Sequence, residues 1–318
     1  MRKHYWPCLT LVFLTWSSLT LAQEPHSTAT DSANKGADSN FIRITRSDDG
    51  KPLALETSIT SYSAGENGAQ VDLIGAIHIG EKSYYRQLNK LFDQYDVLLY
   101  ELVAPEGTVI SQRNPEQSTN PVSFLQNTMK EFLGLQSQLE KINYDKKHFV
   151  RADMTPEQMS QKMAERGDTV MTIALSTFVD AMRQQNKAAL KQNNSSAGSL
   201  ADLDLSELLQ DPLKAKVMLA EQFVSSGSLD QALGSSLNQL IVLDRNAEAM
   251  KGLQKQIAAG KKKIGIFYGA AHLPDLEKRL VTDFGMKNVN SSWIAAWDLT
   301  KSNGKALQPM NLLFRLLK

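Results

Sequence analysis

Cysteine is almost missing from this chain of 318 residues: the one thiol is Cys8, inside an apolar N-terminal stretch. If that stretch is removed, no disulfide and no thiol nucleophile remain, and stability must come from packing alone. An excess of charge of one sign is also missing. The 35 basic and 34 acidic residues nearly cancel, so there is no broad field to draw in nucleic acid or anionic lipid. The apolar stretch at residues 9–21 is diluted by Thr and Ser and is shorter than the roughly 20 residues a spanning helix needs. The common catalytic signatures are absent as well: there is no HExxH, no Gly-x-Ser-x-Gly, no Walker loop and no zinc-ribbon spacing. Apart from one pair of Gly-x-x-His frames, no internal repeat is evident. Any chemistry therefore has to come from local clusters.

The basic start Met1-Arg2-Lys3-His4, the apolar segment and the small residue closing Leu19-Thr20-Leu21-Ala22 follow the order of a secretory signal peptide, with cleavage expected after Ala22. Cys8 is not at that point, so it is not a lipobox acceptor. The expected location is secreted or periplasmic, with no integral membrane segment once the signal is removed. Residues 23–40, rich in Ser, Thr, Ala, Asp and Gly, read as a flexible leader. Residues 41–318 read as one α/β domain with a helical insertion at about 121–259, and the apolar tail at 310–318 is expected to pack on the body.

Within that domain, residues 41–46 and 53–62 alternate apolar and polar around Asp48-Asp49-Gly50, as an antiparallel hairpin does. Residues 71–78 form an apolar strand, 81–94 carry helical spacing, and 97–100 form a second apolar strand ending at Glu101. A βαβ unit brings the carboxyl ends of its strands to one edge, so His78 and Glu101 should be neighbours. Helices are expected over 121–142, 156–192, 205–223 and 236–259. A third apolar strand, 264–268, then leads into Gly269-Ala270-Ala271-His272, followed by a helix over 274–284 and one or two closing strands over 289–299. The fold class expected is α/β with a mixed, partly parallel central sheet.

Three apolar runs thus end in a metal ligand or acid–base type. His78 and His272 follow the same Gly-x-x frame at strand carboxyl ends, where open α/β sheets hold ligands. Read singly, each histidine can equally cap a strand. The repeated frame, in a chain with five histidines, favours a shared site. His148, between charged residues, reads as a surface residue. Neutral imidazoles suit zinc, iron, manganese or cobalt, and Glu101 could complete the set as a third ligand or act as a base. Arg245 has three open readings: a structural partner of Glu101, a stabiliser of an oxyanion or substrate carboxylate, or a helix-surface residue.

Five segments carry a resemblance in their order: Gly75-Ala76-Ile77-His78, Leu99-Tyr100-Glu101-Leu102, Phe149 to Met154, Asp244-Arg245-Asn246 with Met250, and Gly269 to Leu273. In these the chain resembles the TraB/GumN family, which includes the Tiki metalloproteases. The resemblance implies an erythromycin-esterase/ChaN-like fold and a manganese- or cobalt-dependent hydrolase acting on a peptide or protein, and the donor types add zinc as a third candidate ion. It implies His78 and His272 as metal ligands, Glu101 as ligand or base, Arg245 and Asn246 as polar catalytic-site groups, and Asp153 as a supporting residue. Two alternatives fit the same cleft: a non-catalytic peptide or pheromone binder, and an iron- or haem-binding protein of the ChaN type.

Overall fold

The computed structural model describes residues 41–66, 68–108, 130–166, 210–225 and 238–305. The expected signal segment, leader and C-terminal tail lie outside the described residues, as do 121–129, 167–209 and 226–237 of the expected insertion.

The chain opens with β1 (Ile42–Arg46), β2 (Pro52–Ser63) and β3 (Gln70–Ala76), then the short β4 (Ile79–Gly80), helix α1 (Lys82–Phe92) and β5 (Val97–Tyr100). It continues with β6 (Gln136–Ser137), α2 (Gln138–Lys141), β7 (Phe149–Arg151), α3 (Pro156–Glu165) and α4 (Pro212–Ser225). A π-helical stretch, Gln239–Leu243, runs into α5 (Asp244–Ala258), and β8 (Lys263–Gly269) follows. The 3-10 turn Ala270–His272, α6 (Leu273–Thr282) and β9 (Lys287–Asp298) complete the order.

Seven strands form one mixed sheet in the order β1-β2-β3-β8-β5-β7, with β9 on the other side of β2. The half containing β3, β8, β5 and β7 is parallel, and β2 meets β1, β3 and β9 antiparallel. The apolar runs are explained by burial on both sides: β5 is buried at every residue, as are β3 and β8 beyond their first. Tyr84, Tyr85, Leu88 and Phe92 of α1 pack on one face. Leu253 and Met250 of α5, with Leu273, Leu276 and Leu280 of α6, cover the other. Each such side chain contributes roughly 1.5–3 kcal/mol on burial, so the sheet is held from both sides.

Two features differ from the sequence reading. The crossover through α1 does not join adjacent strands, because β8 lies between β3 and β5. Periodicity reports that a parallel crossover exists, and a strand arriving some 160 residues later can still insert into it. The helix expected over 121–142 ends, within its described part, at Gly134. That residue takes φ +69°, Leu135 N–H bonds to the Lys130 carbonyl at 3.0 Å, and Gly134 N–H bonds to the Glu131 carbonyl at 3.3 Å. This is the two-bond glycine stop of a helix C-terminus. The chain beyond it pairs as β6 with β4 and then forms α2. The helix expected from 156 begins as read, with Thr155 and Gln158 closing a reciprocal cap; residues 167–192 of that expectation lie outside the described residues. Of the expected 289–299, residues 289–298 form part of one strand, β9, and Leu299 lies just past its end.

Helix α4 is tied to the sheet by charge. The Lys216 side chain is 1% exposed and donates to Glu81 Oε1 at 2.7 Å, immediately before α1. Removing Glu81 leaves unpaired an ammonium that is 1% exposed, whereas removing the ammonium leaves Glu81, whose side chain is 20% exposed and can be solvated. Glu81→Gln should lower the unfolding free energy by about 3 kcal/mol, and Lys216→Met by clearly less. Urea denaturation of both variants checks the order, and equal losses would contradict it.

Candidate functional site

The carboxyl ends of β3, β8 and β5 lie side by side, and each delivers one group. Glu101 directly follows β5, and its N–H bonds to the Phe267 carbonyl at 3.2 Å, carrying the ladder one residue past the strand. His78 stands two residues past β3. Its loop is pinned by Tyr85 Oη on the Ile77 carbonyl (2.9 Å) and by Gln138 N–H on the His78 carbonyl (2.8 Å). His272 closes the 3-10 turn after β8 and abuts α6. The two Gly-x-x-His frames are therefore not equivalent locally. Gly75 lies inside β3 beside Tyr268, while Gly269 is the last residue of β8 and pairs with Ala76.

Gly269 is the point where the three groups meet. A Cβ on this residue would sit 3.3 Å from Glu101 Oε2, 3.6 Å from the His272 ring and 3.8 Å from His78 Nε2. Its φ of −49° is ordinary, so it is close approach that calls for glycine here. The structure thus brings His78, Glu101 and His272 around the space that a side chain at 269 would fill.

Glu101 is held at both oxygens: Oε1 accepts from Arg245 Nη2 at 2.7 Å, and Oε2 accepts from Gly269 N–H at 2.7 Å. Burial would raise its pKa, but Arg245, the two histidines and the Gly269 N–H more than offset this and hold the carboxyl well below the usual range. Arg245 grips a second carboxylate bidentately, with Nε on Asp153 Oδ1 at 2.9 Å and Nη2 on Asp153 Oδ2 at 2.6 Å. Its Nη1 approaches the Ile241 carbonyl at 3.4 Å, in the π-helical stretch. Burial disfavours the guanidinium charge, yet Glu101 and Asp153 keep its pKa above the ordinary value. Burial pushes the pKa of Asp153 up, and Arg245 works against that shift.

Asn246, fully buried, adjoins Arg245 on α5. Its Nδ2 donates to the His272 carbonyl at 3.0 Å and to Asp275 Oδ2 at 2.9 Å, and its Oδ1 lies 2.8 Å from His272 Nδ1. His272 is 4% exposed. Burial is the main cause that pushes its pKa down to about 4; Glu101 opposes this, and Arg245 and His78 reinforce it. The imidazole is therefore neutral at pH 7. Its Nε2 stands 3.7 Å from Glu101 Oε1.

Sequence reasoning misses Gln138, which lies between the Nδ1 of His78 and the Oη of Tyr144. No motif marks a glutamine of this kind, and the expected continuous helix concealed the β6–α2 corner. His148 is half-buried, with Nε2 2.9 Å from the Phe92 carbonyl, away from the strand ends.

The donors suit a divalent ion by type: two imidazoles and a carboxylate of depressed proton affinity. Among the described residues, no three His, Cys, Asp or Glu side chains already stand close enough together to count as a ligand set. The His272–Glu101 spacing of 3.7 Å is slightly wider than the roughly 3.4 Å that separates two donors bonded at ~2.1 Å to one tetrahedral metal. No family model, curated protein or solved structure matches the chain.

A pH dependence follows from His272. Its folded pKa lies below the ordinary 6.5, so its burial stabilises the fold fully above about pH 6.5. That stability is lost as pH falls toward about 4, because the unfolded chain takes up a proton that the folded chain refuses. At about 1.4 kcal/mol per pKa unit, the loss across the window is roughly 3 kcal/mol. In chelator-treated protein, urea denaturation between pH 7 and 4 should show this slope, and His272→Gln should flatten it. An unchanged slope in the variant would contradict the burial of a neutral imidazole.

Proposed function

We propose that the protein is an exported, metal-dependent hydrolase of the TraB/GumN type, most simply a peptidase, with its centre at His78, His272 and Glu101. One observation carries this reading: three groups from three different strand ends surround Gly269, and two of them are imidazoles whose Nδ1 atoms are already occupied by side-chain amides. The peptidase class rests on the resemblance of the five sequence segments, and the exported location on the composition of residues 1–22.

In this reading His78 and His272 offer Nε2 as ligands. Glu101 serves as a ligand and not as the base, since a carboxylate already bound by Arg245 and by the Gly269 N–H is a poor proton acceptor. What manganese, cobalt or zinc supplies when bound is a lowered pKa for water, from ~15.7 toward about 7, and polarisation of a carbonyl. Arg245 holds Glu101 in place through charge and leaves little donor capacity for an oxyanion, because its hydrogen bonds go to Asp153, Glu101 and Ile241. Asn246 orients His272 and so acts on substrate only through that ring.

The same inward-facing guanidinium supports a second reading, a non-catalytic peptide binder with a metal or polar centre, because no other charged donor is placed to stabilise an oxyanion among the described residues that touch Glu101. Metal analysis and a cleavage assay separate the two. The full chain should hold one manganese, cobalt or zinc ion, lost in His78→Ala and in His272→Ala. A peptide library should be cleaved by the loaded wild type and not by Glu101→Ala. Metal retained in both histidine variants would sink the site; stoichiometric metal without cleavage under any of the three ions would select the binder.

A further inference from the structure

The two histidines are gripped by matching devices from unrelated parts of the chain. At His272 the device is Asn246, whose Nδ2 gives its hydrogens to a carbonyl and a carboxylate, groups that can only accept. Its Oδ1 must therefore accept from His272, so Nδ1 carries the ring proton and Nε2 keeps its lone pair, facing Glu101. At His78 the device is Gln138, on the β6–α2 corner. Gln138 is 5% exposed, its Oε1 lies 3.2 Å from His78 Nδ1, and its Nε2 donates to Tyr144 Oη at 2.9 Å. Its backbone N–H also donates to the His78 carbonyl at 2.8 Å. The β4–β6 pairing, Ile79 with Ser137 and Gly80 with Gln136, fastens the corner beside the His78 loop.

We propose that Gln138 is a positioning residue for the centre, fixing His78 in the Nδ1–H tautomer so that both imidazoles present an unprotonated Nε2 to a divalent cation beside Glu101. The proposal rests on the metal-centre reading given above. A ring nitrogen carrying a proton cannot ligate, and a ring without a partner at Nδ1 populates both tautomers and rotates. An acceptor at Nδ1 removes both obstacles before any ion arrives. Tyr144 completes the arrangement by occupying the amide nitrogen, and it is itself buried, with its ring 5.1 Å from that of Tyr100 on β5.

The test uses the full chain with ¹⁵N-labelled histidine, chelator-treated and held at pH 8. Long-range ¹H–¹⁵N correlations distinguish protonated from lone-pair ring nitrogens, and His78→Ala and His272→Ala assign the signals. Both rings should appear in the Nδ1–H form in the wild type. In Gln138→Met the His78 signal should move to a tautomer mixture while that of His272 stays. Gln138→Glu, which keeps an acceptor, should restore it. Calorimetric titration with Zn²⁺ or Mn²⁺ should show affinity about 10–100-fold weaker in Gln138→Met and largely recovered in Gln138→Glu. A wild-type His78 in the Nε2–H form, in a chain that binds metal, overturns the role of Gln138 alone, and this spectrum decides even if Gln138→Met fails to fold. Nδ1–H rings in a wild type that binds none of these ions overturn the metal centre, and the proposed role with it.

Discussion

The buried guanidinium of Arg245 is the interaction on which the arrangement of the strand ends depends. It holds Asp153, just after β7, with two hydrogen bonds, and Glu101, just after β5, with one. Two carboxylates at this depth without a cation would repel each other and pay a large desolvation cost. With Arg245 between them, the carboxyl ends of two neighbouring strands are fixed to the first turn of α5. Asn246, next in sequence, then fixes the turn that follows β8 and the start of α6. One dipeptide thereby connects β5, β7, β8, α5 and α6. The same cation explains how Glu101 stays ionised in a nearly closed environment, since burial alone would push its carboxyl the other way.

A second constraint is spatial. With β8 between β3 and β5, the group at the end of the central strand would occupy the middle of the site if it had a side chain. Gly269 leaves that volume empty, and its backbone N–H is turned to use on Glu101. Groups from the flanking strands can then approach across it. An alanine at 269 would press its methyl against a carboxylate oxygen at 3.3 Å, a contact that can relax only by moving one of the groups the rest of the cluster holds in place.

Much of this was legible in the sequence, for local reasons. The hairpin around Gly50, the apolar runs of β3, β5 and β8, the helices α1 and α6 and the polar residues at the strand ends all follow from periodicity and turn chemistry acting within a dozen residues. The position of β8 was not legible, because strand order is set by packing between segments far apart in the chain. Nor was Gln138, since its meaning comes from contact with a histidine 60 positions earlier and from the helix stop at Gly134 that turns the chain toward it. Arg245 was named from its motif, but its three readings separate only when its partners are seen. It is a buried structural partner of Glu101, and the surface reading falls away at 7% exposure.

The supports of the two histidines differ in how they connect to the fold. Asn246 belongs to α5, which is packed on the sheet by Ala249, Met250 and Leu253, so His272 is fixed by the core itself. Gln138 belongs to a corner joined to the His78 loop by the two-residue β4–β6 pairing and seated, through Leu135, Ile142 and Tyr144, on the core at the α1 face of the sheet. In the proposed centre both rings would thus be oriented before a cation arrives, His272 by the first turn of α5 and His78 by the β6–α2 corner. The two supports stand on cores at opposite faces of the sheet, so the orientation of each ring could be altered from its own side without touching a ligand.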